Sequence, residues 1–178
     1  MAVEESKTDK LPIRIATPDD IPQLVELINR AYVAEASFVR GLRTDRLDLR
    51  GKMASANSWF LVLDAHAPGG ALQLAACVFL ECDDERGHIG LLSVNPDGQG
   101  HGLGARMLRA AEAHCQQVMR CPTIELDVVN LRTELFGFYE HMGYVRTGVL
   151  PFPDESRLTQ PAHLVTMQKS STATDVSK

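Results

Sequence analysis

The chain has 178 residues, 44% of them hydrophobic, and a formal net charge of −5, which suits one domain with a full core. That balance argues against a general nucleic-acid binder, which carries a basic stripe. No apolar stretch approaches the roughly 20 residues needed to cross a bilayer, so neither nucleic acid nor membrane is an expected partner.

In chain order, Met1–Lys10 is acidic and polar, with neither the apolar core of a signal peptide nor the Arg-rich character of a transit peptide. Ile13–Ile15 reads as a short strand. Thr17-Pro18-Asp19-Asp20 then reads as a helix start, with Ile21, Leu24, Val25, Ile28 and Tyr32 following at helical spacing. Phe38–Thr44 suits a loop and Asp45–Ala54 a second short helix. Trp59–Leu63 and Leu72–Glu81 are strands joined through Pro68-Gly69-Gly70, and a polar turn over 83–87 leads to strand His88–Val94.

Leu103–Met119 carries Leu103, Met107, Leu108, Ala111, Cys115 and Val118 on one helical face. Thr123–Val129 alternates as a half-buried strand. Leu131, Leu135, Phe138 and Met142 mark a helix ended by Gly143, and strands Tyr144–Val149 and His163–Lys169 close the chain. The order β-α-α-β-β-β-α-β-α-β-β predicts an α/β fold, a mixed sheet of about seven strands with helices on both faces. The expected domain spans residues 11–169, flanked by disordered tails at 1–10 and 170–178. The four cysteines, Cys77, Cys82, Cys115 and Cys121, form no C-x-x-C pair. Buried thiols in a reducing, cytoplasmic compartment are expected, without a metal site.

The densest signal lies at Val94-Asn95-Pro96-Asp97-Gly98-Gln99-Gly100-His101-Gly102-Leu103-Gly104-Ala105. Glycines alternate at Gly98, Gly100, Gly102 and Gly104 between a strand and a helix start. Glycine permits close backbone approach, and a helix start offers free N–H groups and a positive dipole end. Together they make a cradle for phosphate oxygens. A P-loop would need Lys-Ser or Lys-Thr after the last glycine, where Ala105-Arg106 stands. A dinucleotide fold would place an acid at a second strand's end, whereas Glu125 and Asp127 lie inside the next strand.

Gln99-Gly100-His101-Gly102-Leu103-Gly104 behind Val94-Asn95-Pro96 resembles the acetyl-CoA signature of the GCN5-related N-acetyltransferases. Phe138-Tyr139-Glu140-His141-Met142-Gly143-Tyr144 resembles that family's Phe-Tyr-x-x-x-Gly-Phe/Tyr element, in the right order and at a fitting separation. The resemblance implies N-acetyl transfer from acetyl-CoA, as a cosubstrate, to a primary amine by direct attack in a ternary complex. The expected acceptor is a small-molecule or peptide amine, and the oligomeric state, monomer or homodimer, stays open. It also implies that His88–Val94 and Thr123–Val129 splay apart to admit the acyl-pantetheine arm. Other acyl donors, a non-catalytic CoA-binding sensor or scaffold, and a nucleotide-binding regulatory domain are the rival readings.

On that resemblance, main-chain N–H groups of Gln99, Gly100, His101, Gly102, Leu103, Gly104 and Ala105 hold the diphosphate. The strand edge at Leu92, Ser93 and Val94 pairs with pantetheine, and an amide near Leu92 polarises the thioester oxygen. Asn130 and Phe138 contact the same arm, although Asn130 stands two residues farther from the Phe-Tyr pair than in the family pattern. As an alternative, Asn130 caps the following helix. Tyr139 protonates the departing thiolate. His88, which resembles the first of two strand histidines in serotonin N-acetyltransferases with Gly90 replacing the second, competes with Glu81 and a water relay as base. Tyr32, Phe38, Arg43 and Asp154 are the expected acceptor-pocket residues.

Overall fold

The computed structural model describes residues 12–170 apart from Pro68 and Asp84, so the expected tails lie outside the described residues except for Ser170. Its strands are β1 (Ile13–Ile15), β2 (Ser58–His66), β3 (Leu72–Asp83), β4 (Arg86–Val94), β5 (Thr123–Val129), β6 (Val145–Pro151) and β7 (His163–Ser170). Its helices are α1 (Ile21–Ala31), α2 (Arg46–Ala54), α3 (Leu103–Gln117) and α4 (Thr133–His141). The strands form one seven-stranded sheet in the order β1-β2-β3-β4-β5-β7-β6. β4 and β5 run parallel; every other neighbouring pair is antiparallel. The predicted mixed sheet and its element order are therefore present. Among the described residues no helix is long and apolar enough to cross a membrane.

Period-2 alternation sends β2 side chains to two separate cores. Phe60 and Val62 pack with Ile21, Leu24, Ile28 and Leu49 of α1 and α2. Leu61 and Leu63 join Leu103, Met107, Leu108 and Ala111 of α3 and Phe136 of α4 on the opposite face. A smaller cluster of Phe38, Val39 and Val129 fills the space under the chain that links α1 to α2.

The first helix starts later than its sequence suggests. Pro18–Asp20 forms a 3₁₀ turn, and the α-helix begins at Ile21. Pro22 has no N–H to give to the Pro18 carbonyl, so the i→i−4 ladder cannot begin there; Ile21 N–H bonds Pro18 O instead. Asp20 closes the turn by accepting the Thr17 N–H at 2.8 Å. Asp45, expected as the first residue of the second helix, is its cap and accepts the N–H groups of Leu47 and Asp48.

Arg14 ties this corner to the sheet. Its guanidinium donates to both oxygens of Asp20 at 2.8 and 2.9 Å and to both oxygens of Asp64 at 2.7 and 3.0 Å. The Arg14 hydrogen bond holds the Asp20 carboxyl below its ordinary value, against the cost of burying it. Asp20 thus contributes stability above the unfolded carboxylate value, and that stability is lost as pH falls through the lower folded value. Arg14→Ala is expected to cost about 1–2 kcal/mol in urea unfolding at neutral pH, the figure for charged hydrogen bonds reduced for solvent screening. The gap from the parent should narrow in acid.

Candidate active site

β4 organises the site. Its parallel pairing with β5 consists of Arg86↔Thr123, Gly87↔Ile124 and His88↔Glu125. Among the described residues, beyond that point β4 pairs only with β3, and β5 only with β7. The two central strands therefore part after His88, as expected, and leave two strand edges facing a gap.

Within the gap β4 carries an irregularity that the sequence does not display. Cys77 pairs with Ser93 and Phe79 with Gly90, so Val78 alone opposes Leu91 and Leu92. This is a β-bulge. Leu91 takes a positive φ of 49°, which few non-glycine residues adopt. The bulge places Leu91 in the α1 core although Ile89, two residues earlier, belongs to the α3 core. The Leu91 carbonyl is satisfied from inside by Ser93 Oγ at 3.0 Å and Cys77 Sγ at 3.8 Å. Ser93 is accordingly buried, and its hydroxyl faces the protein rather than the gap.

At the C-terminal end of β4 the chain makes the glycine turn. Asn95 Oδ1 accepts the Asp97 N–H, and a 3₁₀ turn over Pro96–Gly98 follows. Gly100 and Gly102 have φ of 82° and 78°, and a Cβ on either would meet no protein atom within 4 Å. The need for glycine there is conformational, with open space in front. At Gly104 a Cβ would contact Phe138 Cζ and Val94 Cγ2 at 3.8 Å, so Phe138 stands against the turn. Gly102 caps α3, and the helix ladder begins with Arg106 N–H to Gly102 O at 3.0 Å. The N–H groups of the first turn, at Leu103, Gly104 and Ala105, precede that bond and have no carbonyl one turn back. Gln99 is spent differently: its N–H donates to Pro96 O at 3.4 Å and its side-chain amide to Val94 O at 3.3 Å. His101 Nδ1 lies 3.0 Å from Gln99 O. Left-handed glycines, open space and unspent N–H groups fit a diphosphate.

On the α1–α2 face of the sheet lies a cleft of about 730 Å³. Glu81 and His88, opposite each other on β3 and β4, both line it, with Arg43, Asp48, Lys52 and Arg157 around them. Cross-strand neighbours of this kind have Cβ atoms about 5 Å apart. His88 Nε2 is 4.0 Å from where a Gly90 Cβ would sit, so the ring leans along the strand towards the bulge. Gly90, the expected departure from a two-histidine pattern, provides the room. Asp48 accepts from Lys52 Nζ at 2.8 Å and Thr44 Oγ1 at 2.6 Å; these bonds outweigh burial and hold it low. Arg157 donates to the carbonyls of Arg40 and Leu42, locking the loop between α1 and α2.

Of the expected acceptor residues, Arg43 lines the cleft and its guanidinium lies 5.0 Å from the Tyr32 ring centroid. Tyr32 is half-buried beneath it, and burial pushes its phenol up. Phe38 does not line the cleft: at 3% exposure it belongs to the small core with Val39 and Val129. Asp154 is exposed and turned to its own segment, accepting the Ser156 N–H at 3.2 Å. The cleft residues from α2, Asp48 and Lys52, were missed because a short polar helix carries no motif; Arg157 was missed because its partners lie more than a hundred residues away.

Tyr139, on α4, packs between Phe138 and Tyr144, with ring centroids 5.0 and 6.0 Å away. Burial pushes its phenol well above the ordinary value, so it stays protonated through the neutral range. Asn130 does not cap α4, whose N-cap residue is Arg132. Its Oδ1 instead accepts the His163 N–H at 2.8 Å and its own N–H donates to His163 O, fastening the end of β5 to β7. Arg132 binds Glu35 at 3.3 Å and Glu134 at 2.6 Å. Among the described residues, no group of three or more His, Cys, Asp or Glu is arranged to hold a metal ion.

The Acetyltransferase (GNAT) family model matches residues 22–144, and the chain belongs to that family of acetyltransferases. Among solved structures, the ribosomal-protein-S18-alanine N-acetyltransferase from Escherichia coli is similar with a TM-score of 0.69 at 15% identity, over 94% of this chain and 99% of that one. A variant of the spermidine N-acetyltransferase from Vibrio cholerae gives 0.69 at 15% identity, over 91% and 94%. An acetyltransferase from Bacillus anthracis in complex with acetyl coenzyme A gives 0.67 at 15% identity, over 91% and 100%. These likenesses are of fold.

Proposed function

We propose that this chain is an N-acetyltransferase that passes an acetyl group from acetyl-CoA to a primary amine while both are bound. The observation that carries this reading is the course of β4. One strand bears the glycine cradle at its end, the Leu91–Leu92 bulge along its open edge and His88 at the cleft. Val94 to His88 spans roughly 20 Å of extended chain, a fitting track for a pantetheine arm.

Acetyl-CoA, when bound, supplies an acetyl group activated as a thioester. The N–H groups of Gly100, His101, Gly102, Leu103, Gly104 and Ala105 would hold its diphosphate. The main chain at Leu92 and Val94 would take the pantetheine amides as a sheet edge takes a peptide, with Phe138 packed alongside. The bulge turns an amide near Leu92 out of the ladder, where it would polarise the thioester oxygen.

An alkylamine titrates near ~10, so it arrives charged and must lose a proton. His88 Nε2, leaning towards the bulge, is the group we assign to take it. Glu81, across the strand pair, steadies the cation before transfer. Tyr139 returns a proton to the departing sulfur.

The test is thiol release from acetyl-CoA against small amines, polyamines, amino acids and peptide N-termini. At least one class should accelerate release over hydrolysis. His88→Gln should lower that rate about 100-fold at neutral pH, within the usual range for a general base, and Glu81→Gln should raise KM more than it lowers kcat. Tight CoA binding with no release for any amine would overturn the catalytic reading in favour of a sensor or scaffold. Faster release from a longer acyl-CoA would reassign the donor.

A further inference from the structure

We propose that Cys82 and Cys121 form a reversible dithiol–disulfide pair that cross-links β3 to the segment entering β5 across the closed end of the strand gap. The two residues are 39 apart in sequence, yet their Sγ atoms are in contact at 2.9 Å. To bond, the two sulfurs must close from that contact to about 2.05 Å. No sequence spacing announces the pair, because the fold alone brings it together.

The backbone makes room for it. Cys82 pairs with Gly87 of β4, and Gly87 in turn pairs with Ile124 of β5. A Cβ on Gly87 would fall 2.9 Å from Cys115 Sγ and 3.4 Å from Cys121 Cβ. Glycine at this position lets the cysteines close over β4. Cys121 N–H donates to Cys115 O at 2.9 Å, which fixes the turn that presents the thiol.

The three thiols differ in access. Cys82 is half-buried, whereas Cys115 and Cys121 are 0% and 2% exposed. Burial, with the Cys82 thiol next to it, pushes Cys121 up to about 12; burial does the same to Cys115. Cys82 is therefore the thiol that meets a reagent, and Cys121 resolves.

The oxidant is a low-molecular-weight disulfide. Cys82 as thiolate attacks one of its sulfurs, forming a mixed disulfide and releasing one small thiol, which takes the proton that Cys82 lost. Cys121, on giving up its proton, attacks the Cys82 sulfur and expels the second small thiol, which takes that proton. The protein loses two electrons and two protons, and the small disulfide gains both. The link spans the point where β4 and β5 are still paired, so it fixes the apex from which the gap opens.

The full native chain treated with oxidised glutathione tests this. The free-thiol count should fall from four to two, and a non-reduced digest should contain one cross-linked peptide joining Cys82 to Cys121. Dithiothreitol should restore all the thiols. Cys82→Ser should keep every remaining thiol through the same treatment. A count that stays at four, a glutathione adduct that persists on Cys82, or a cross-link through Cys115 would each overturn the proposal.

Discussion

Gly102→Asp is expected to abolish measurable CoA binding in calorimetry, at least 100-fold in affinity, and to leave the far-ultraviolet spectrum unchanged. Gly102 holds a φ of 78° with open space where a side chain would go. An L-residue there costs about 1–2 kcal/mol in the backbone. Aspartate is among the residues that tolerate the left-handed region best, so the fold survives. Its carboxylate would occupy the mouth of the cradle, against the charge of the diphosphate and over the N–H groups meant for it. A loss of 100-fold corresponds to about 2.7 kcal/mol. Gly102→Ala separates the contributions, since it adds the backbone strain without the charge and should lose less. Equal affinity in Gly102→Asp and the parent would show that the cradle does not hold the coenzyme.

Tyr139→Phe is expected to lower kcat by about 100-fold, within the span of general-acid effects, with CoA affinity unchanged. The half-buried ring packs between Phe138 and Tyr144, and phenylalanine keeps that packing. Burial holds the hydroxyl protonated well beyond neutral pH, so Tyr139 can donate and cannot serve as a neutral-pH base. Activity lost through this residue should therefore be lost equally from pH 6 to 8. A fall in kcat confined to one side of that range would assign the effect to another group. A fall in CoA affinity with kcat intact would make Tyr139 a packing residue.

Local patterns carried much of this fold. The alternation of Ile124, Leu126 and Val128 and the helical spacing from Leu103 to Cys115 place those segments with their buried faces as expected. The glycine turn was legible because a tight strand-to-helix turn needs left-handed conformations, and glycine writes them into the chain. The bulge on β4 was not, because Ile89 and Leu91 look like one face in any period of two. It takes the skip in register at Val78, one residue opposite two, to reverse them. Asn130 read as a pantetheine contact or, alternatively, as a helix cap, and a partner on β7 takes its oxygen. The cleft depended on long-range fits of this kind, as did the meeting of Cys82 with Cys121. Phe38 shows the opposite error: an aromatic residue in a loop invites a ligand-binding reading, and here it is core.

Among the described residues, three register pairs, Arg86↔Thr123, Gly87↔Ile124 and His88↔Glu125, are the whole ladder between β4 and β5. The sheet is thus two leaves on a short ladder, β1–β4 in one and β5–β7 in the other, backed by the shared α3–α4 core. A coenzyme arm laid between them would add main-chain bonds along the β4 margin and bridge the leaves. Ligation there would complete the secondary structure as well as fill a site, and amides along that seam should exchange with solvent more slowly once the coenzyme is added.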